Sequence, residues 1–227
     1  TRLVSLRRHY IMRLPLSVVL LQHARELGRP TATGPLLAHH SLQSHLRVQA
    51  WTWAGRGENE RIERQLEALC SPVLLWNGDG TGESDGTRTA EAIAAAASAE
   101  DAAHEGRYGW SAHDYVVLDG TWQEARSIYR KGPDGLRACA RAALVGGPSS
   151  YVLRGDYGWR ERFGGRAGRA GAAEPLCTAE VVACLMEQYN GDATGGAALR
   201  ALLADFQVEY ATRHPHLRPK LAQARGG

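Results

Sequence analysis

Cysteine is scarce in this chain and poorly spaced for joint work. Cys70, Cys139, Cys177 and Cys184 are scattered over 227 residues and form no C-x-x-C pair. That argues against a disulfide framework and leaves no zinc site written in the sequence, so no metal is expected. Reduced thiols suit an intracellular setting. A cytoplasmic protein is expected, with nucleus and plastid left open because the chain starts at Thr1. Long apolar runs are missing too. Leu14 to Leu21 is too short to span a membrane and reads as a buried strand. Arg7, Arg8 and Arg13 precede that run, but no small-residue cleavage site follows it, so no signal peptide is read. No internal repeat is seen. Lysine is nearly absent, with Lys131 and Lys220 the only two, and arginine carries the basic charge. The net charge is only +3, far from histone-like and weak support for an anionic partner. Arginine suits fork-like contact with phosphate; with Ala and Gly also abundant, a biased source genome explains it equally well.

What is present is an alternation of strand and helix patterns. Leu16 to Gln22 reads as a buried strand, followed by a Gly/Pro-marked loop, 28–34. Pro35 opens a helix expected to reach about His45. Leu46 to Trp53 reads as a second strand, Glu60 to Leu69 as an amphipathic helix, and Pro72 to Trp76 as a third strand. Residues from about 77 to 113 form a low-complexity insert, first rich in Gly, Ser, Thr and Asp, then in Ala. Tyr115 to Leu118 is the next strand. Two short strands are expected at Leu144-Val145 and Tyr151 to Leu153, and helices at Glu174–Gln188 and about Gly196–Arg213. Pro215 onward reads as a basic, frayed tail. The expected fold is α/β, a mainly parallel sheet with helices on both faces. One domain over 1–214 is expected, then the tail at 215–227.

The most informative stretch is Val116 to Arg126, Val-Val-Leu-Asp-Gly-Thr-Trp-Gln-Glu-Ala-Arg. A β-branched run ends in an acid and passes straight into a helical pattern. Gly120 permits a turn closed to other residues. Thr121 is a fair N-cap, with Glu124 placed to complete a capping box. An acid at a strand end facing a helix N-terminus sits where open α/β sheets bind ligands. The plainer alternative is a capped junction with Asp119 as a turn acid, and spacing alone favours it.

Asp119-Gly120-Thr121-Trp122 resembles the segment that names the DTW-domain family of tRNA-uridine aminocarboxypropyltransferases, with the Gln-Glu-Ala-Arg continuation common there. Three further stretches fall in family order. Val18 to Glu26 is similar to a strand ending in Gln-His-Pro-x-Glu, and Thr33 to Leu37 to a Thr-x-x-Leu-Leu segment. Ser150 to Arg154 followed by Pro175 to Glu180 is similar to Tyr-x-x-Arg and a Leu-Ser-Thr-x-Glu-Ala helix start. Together they cover most of residues 14–190. Ala24 stands for the usual Pro, Cys177 for Ser and Val181 for Ala. The insert and the loop before Leu176 look longer than usual, and the N-terminal cysteine cluster of many members is absent.

The resemblance implies a SPOUT-like fold with a knotted C-terminal part. It implies S-adenosylmethionine as group donor and tRNA as partner. The 3-amino-3-carboxypropyl group would go to uridine ring nitrogen three, with methylthioadenosine leaving. Asp119 is then a candidate base or anchor for the donor's amine. Trp122 would wall the pocket or stack the target base, core packing being its equal alternative. Gly120, Thr121, Leu176, Cys177, Thr178 and Glu180 are candidate donor contacts, because the helix opening at Thr178 offers backbone N–H groups and a hydroxyl. Gln22, His23, Arg126, Arg154, Arg160 and Arg162 are candidate RNA contacts. Arg126 and Arg154 could instead grip the donor's carboxylate or pair with Glu124 or Asp156. A structural role suits His23 better, Glu180 reads equally as an ordinary first-turn acid, and the 160–169 loop equally as a solvated loop. A SPOUT-type RNA methyltransferase and a non-catalytic RNA-binding module stay as alternatives. The mass of the modified nucleoside separates the first, and absence of any modification the second. Oligomeric state and the target tRNA are not written in the sequence.

Overall fold

The computed structural model describes residues 15–76, 113–142, 144, 149–153 and 176–225. Five strands form one all-parallel sheet: β1 (Leu16–His23), β2 (Leu46–Trp53), β3 (Val73–Leu75), β4 (Asp114–Asp119) and β5 (Ala140–Ala142). Their spatial order is β2-β1-β4-β3-β5. Among the described residues, six α-helices accompany them: α1 (Asn59–Glu67), α2 (Trp122–Lys131), α3 (Asp134–Ala138), α4 (Thr178–Gln188), α5 (Ala193–Arg213) and α6 (Arg218–Arg225). No described helix is long and apolar enough to cross a membrane.

The strand sequences explain the layering. Leu16 to Gln22 is buried throughout, as expected of a parallel strand covered on both sides. Side chains alternate between the two faces. Val18, Leu20, Leu75 and Val117 pack with α4 and α5; Val19, Leu21, Leu74 and Val116 pack with α1, α2 and α3. Each such fully buried side chain contributes about 1.5–3 kcal/mol of transfer free energy.

The order also fixes where a ligand site can lie. The segment after β1 crosses the α4–α5 face, burying Leu37 there, while α2, following β4, covers the other. The chain thus leaves neighbouring strands β1 and β4 in opposite directions. That makes their carboxyl ends a switch point, the place where open α/β sheets have their ligand crevice. Gln22 and Asp119 are register partners at this point.

The structure departs from the sequence reading in four places. No α-helix runs from Pro35 to His45; two 3₁₀ turns, Gly34–Ala38 and His40–Leu42, are separated by His39 in extended conformation (φ −63°, ψ 138°). Tyr151–Leu153 joins no strand, because its backbone is held by a side chain: Val152 N–H donates to Gln207 Oε1 (2.8 Å), and Gln207 Nε2 donates to Ser150 O (3.3 Å). Of the strand expected at Leu144-Val145, Leu144 is not in a strand and Val145 lies outside the described residues, while the fifth strand is Ala140–Ala142. Beyond Arg213, the expected frayed tail contains a 3₁₀ turn, Pro215–Leu217, and α6. The expected knot is not shown by the described residues; residues 154–175 and most of the insert lie outside them.

Candidate active site

Asp119 ends β4 and is fully buried. Gln22 Nε2 donates to its Oδ2 (2.8 Å), and the Thr178 hydroxyl donates to Oδ1. One carboxylate therefore ties β1, β4 and the first turn of α4. It does not cap α2: Thr121 is the N-cap. Glu124 N–H donates to Thr121 Oγ1 (3.3 Å), and Thr121 N–H donates to Glu124 Oε2 (2.8 Å), completing the capping box. Gly120 makes the turn at φ +156°, where a side chain would be strained and would meet Glu124 Cβ at 3.0 Å.

The segment 33–38 closes over the strand ends. A Cβ on Gly34 would stand 2.9 Å from Asp119 Oδ2 and 3.0 Å from Gln22 Nε2, so only glycine lets the backbone come this close. Thr33 is buried, and its hydroxyl accepts from Ala179 N–H in the first turn of α4 (3.2 Å). The Tyr151 hydroxyl donates to Thr31 O (2.5 Å).

Glu180 is the second buried acid. It accepts from Cys177 N–H (2.9 Å), the Ser149 hydroxyl (2.7 Å), and the Ser150 N–H (2.6 Å) and hydroxyl (2.9 Å). Burial alone would raise its pKa; these donors outweigh burial and hold it below the usual carboxylate range. Glu180 thus staples residues 149–151 to the start of α4.

The third group is an acidic pair around one arginine. Arg29 donates to both oxygens of Glu124 (Nη1–Oε2 2.7 Å, Nη2–Oε1 2.6 Å) and also to Glu26. This fork geometry is among the stronger ionic contacts. Burial opposes ionisation of Glu124, but the bonds from Arg29 and Thr121 win and lower its pKa to about 2. The bond to Glu124 likewise raises the pKa of Arg29. His23 lies 3.9 Å from Glu124 Oε1, accepts from Arg25 N–H at Nδ1 (3.2 Å) and meets Trp53 edge-on, with ring centroids 5.6 Å apart.

Trp122 is half-buried at the start of α2. It stacks on buried Trp76 (centroids 5.3 Å, planes 8° apart), and Trp76 stacks on Tyr129 (4.5 Å, 16°). Trp122 and Tyr129 are seven residues apart on one helix, about 10 Å along its axis. Trp76 fills the slot between them. Arg141 lies over the Tyr129 ring, 5.5 Å from its centroid.

Of the sequence-derived residues that the structure describes, several are brought together, but many of these engage each other. Asp119, Gln22 and Thr178 form one bonded cluster, so Gln22 is a strand-end crosslink, not an open RNA contact. Cys177 is buried and Leu176 half-buried, while the N–H groups of Cys177 and Ala179 go to Glu180 and Thr33. The α4 N-terminus is correspondingly less open to a ligand than the sequence suggests. Arg126 is half-buried on α2, and the arginine that pairs with Glu124 is Arg29. Arg154, Arg160 and Arg162 lie outside the described residues. Sequence reasoning passed over Arg29, Gly34, Ser149 and Ser150 as site residues. Gly34 sat inside a recognised motif, but nothing in the spacing marks Arg29. No group of three or more His, Cys, Asp or Glu side chains that could hold a metal occurs among the described residues.

A parallel α/β sheet with polar and acidic side chains converging where two neighbouring strands leave in opposite directions places the chain in the open-sheet α/β class. The comparison with known families goes further: the DTW domain matches residues 3–214, and the chain belongs to the DTW-domain family, whose members are tRNA-modifying transferases. No curated protein and no solved structure gives a significant match.

Proposed function

We propose that the chain transfers the 3-amino-3-carboxypropyl group of S-adenosylmethionine to ring nitrogen three of a tRNA uridine, releasing methylthioadenosine. Family membership supports tRNA modification. The observation that carries the reading is convergence: the four motif segments, far apart in sequence, meet at one crevice through Asp119, Gln22, Gly34 and Thr178. The expected knot belongs to the same proposal.

The buried acids Glu26, Asp119, Glu124 and Glu180, offset by Arg29, give the site a negative field that suits a donor with a cationic sulfur and an ammonium group. The donor would be lined by Gly120, Thr121 and the Leu176–Thr178 segment. When bound, S-adenosylmethionine supplies a carbon already activated by attachment to a positively charged sulfur. The protein's own task is then chiefly positioning. Asp119 fixes the two strand ends and α4 against each other. Thr121 and Glu124 set the turn, and Glu180 holds 149–151 in place. Asp119 already accepts a bond on each oxygen, so the reading gives it a positioning role, with removal of the uridine imide proton as the alternative that its Asn variant separates.

Incubating tRNA with protein and S-adenosylmethionine, then digesting and weighing the nucleosides, tests the reading. A uridine heavier by one aminocarboxypropyl group, with methylthioadenosine formed in equal amount, is expected. A methyl gain with S-adenosylhomocysteine would replace it by the methyltransferase reading, and no change in any nucleoside would overturn the enzymatic reading.

A further inference from the structure

The antiparallel helices α4 and α5 differ in length, 11 residues against 21. At 1.5 Å per residue, α5 overshoots its neighbour by about 15 Å. The direction of the overshoot is fixed at both ends. Asp192 caps α5 through Gly195 N–H (2.9 Å) and meets His45 Nδ1 (2.7 Å), just before β2 begins. Further along, Gln207 grips Ser150 and Val152 beside Glu180, level with the crevice. The last turn of α5 and the 215–217 turn therefore stand past the carboxyl ends of the strands, at the sheet edge that holds the site, and α6 folds back along α5, its Leu221 and Ala222 sharing a groove with Val208, Ala211 and Thr212.

This overhang carries charge of one sign. After Glu209 the sequence holds Arg213, His214, His216, Arg218, Lys220 and Arg225, and no acidic residue. Arg213, His216 and Arg218 are exposed. Arg213 pairs with Glu209, but both side chains are well exposed, and such a pair contributes little and leaves the guanidinium accessible. The surface is shaped by the fold. Tyr210 stacks on His214 (4.3 Å, 31°), Leu217 N–H donates to His214 O (2.9 Å), and Arg218 donates to Thr212 O (3.3 Å). The turn is thus held to the end of α5.

We infer that this basic edge, presented by Arg213, His216 and Arg218 at the end of α5 and the start of α6, docks the phosphodiester backbone of the tRNA whose uridine enters the neighbouring crevice; the inference rests on the function proposed for that site. Guanidinium forks match phosphate oxygens, and a cationic ledge beside the strand-end site holds the polyanion there and leaves the site to base and donor.

Two measurements test it. The chain has only two lysines, one on α6 and one, Lys131, at the end of α2 on the opposite face of the sheet. Amine-reactive footprinting of the intact protein with an unmodified tRNA transcript should protect Lys220 and leave Lys131 labelled. Anisotropy titrations with the same transcript should show Arg213→Ala/Arg218→Ala/Lys220→Ala binding at least ten-fold more weakly. Its salt slope should be shallower by about 2, the counterion release of three lost contacts, with the melting temperature held. Unprotected Lys220, or an unchanged slope, overturns the inference. So does a variant that loses only binding to phosphatidylserine vesicles. If Lys220 is protected but no aminocarboxypropyl nucleoside forms, the docking surface stands and the proposed reaction falls. If the product forms with Lys220 unprotected, the docking surface alone falls.

Discussion

Asp119 holds a donor on each oxygen, and that makes its variants informative. Asp119→Ala strands Gln22 Nε2 and the Thr178 hydroxyl in a buried site, at a cost of about 1–3 kcal/mol for each unmet group. It should lower the melting temperature and abolish transfer, while tRNA still binds. Asp119→Asn keeps the shape and, with the Gln22 amide turned over, both bonds. A positioning role expects this variant to retain measurable transfer in single-turnover assays; a base role expects it to be as inactive as Asp119→Ala. Arg29 gives a second handle. With Glu124 depressed to about 2, its pairing contributes stability above the ordinary carboxylate pKa, and that stability is lost as pH falls from about 4.5 to about 2. Arg29→Met should melt earlier at neutral pH and show a flatter decline of melting temperature across that window. A parallel decline in both proteins would mean that Arg29 is not the group holding Glu124 down.

At the scale of elements, the crevice depends on close approach of the 33–38 segment. Gly34→Ala places a methyl against buried Asp119, Gln22 and Leu20; overpacking of this kind costs about 1–3 kcal/mol. Lower thermal stability together with weakened transfer is expected, and unchanged melting would show that the segment can lift away. The strands and longer helices were legible because burial on two faces writes continuous apolar runs and the capping box writes its own spacing. Asp119 at the strand end and Thr121 as cap were both readable that way. The fifth strand was not, since Ala-Arg-Ala carries no β signal and owes its pairing to β3. Nor was the fate of Tyr151–Leu153, because its bonding partner is Gln207, more than fifty residues later. A glutamine side chain standing in for a neighbouring strand leaves no local trace. The pairing of Arg29 with Glu124, 95 positions apart, was hidden for the same reason: sequence spacing reports neighbours along the chain, not across the sheet.

For the whole molecule, a net charge of only +3 means that RNA affinity must come from where the arginines sit. Binding of tRNA should weaken steeply with salt. Arginine-to-alanine changes within 160–169 should add to the loss if that stretch also meets the backbone, and an unchanged salt slope in titrations would remove it from the interface. The Trp122–Trp76–Tyr129 stack has a further consequence. Two indole rings held nearly parallel at 5.3 Å behave as coupled chromophores, so their absorption transitions mix and give a signed pair of circular dichroism bands that isolated tryptophans lack. Because Trp122 directly follows the Asp119–Thr121 turn, any ligand that moves α2 changes that coupling, and the site carries its own optical gauge without an added dye.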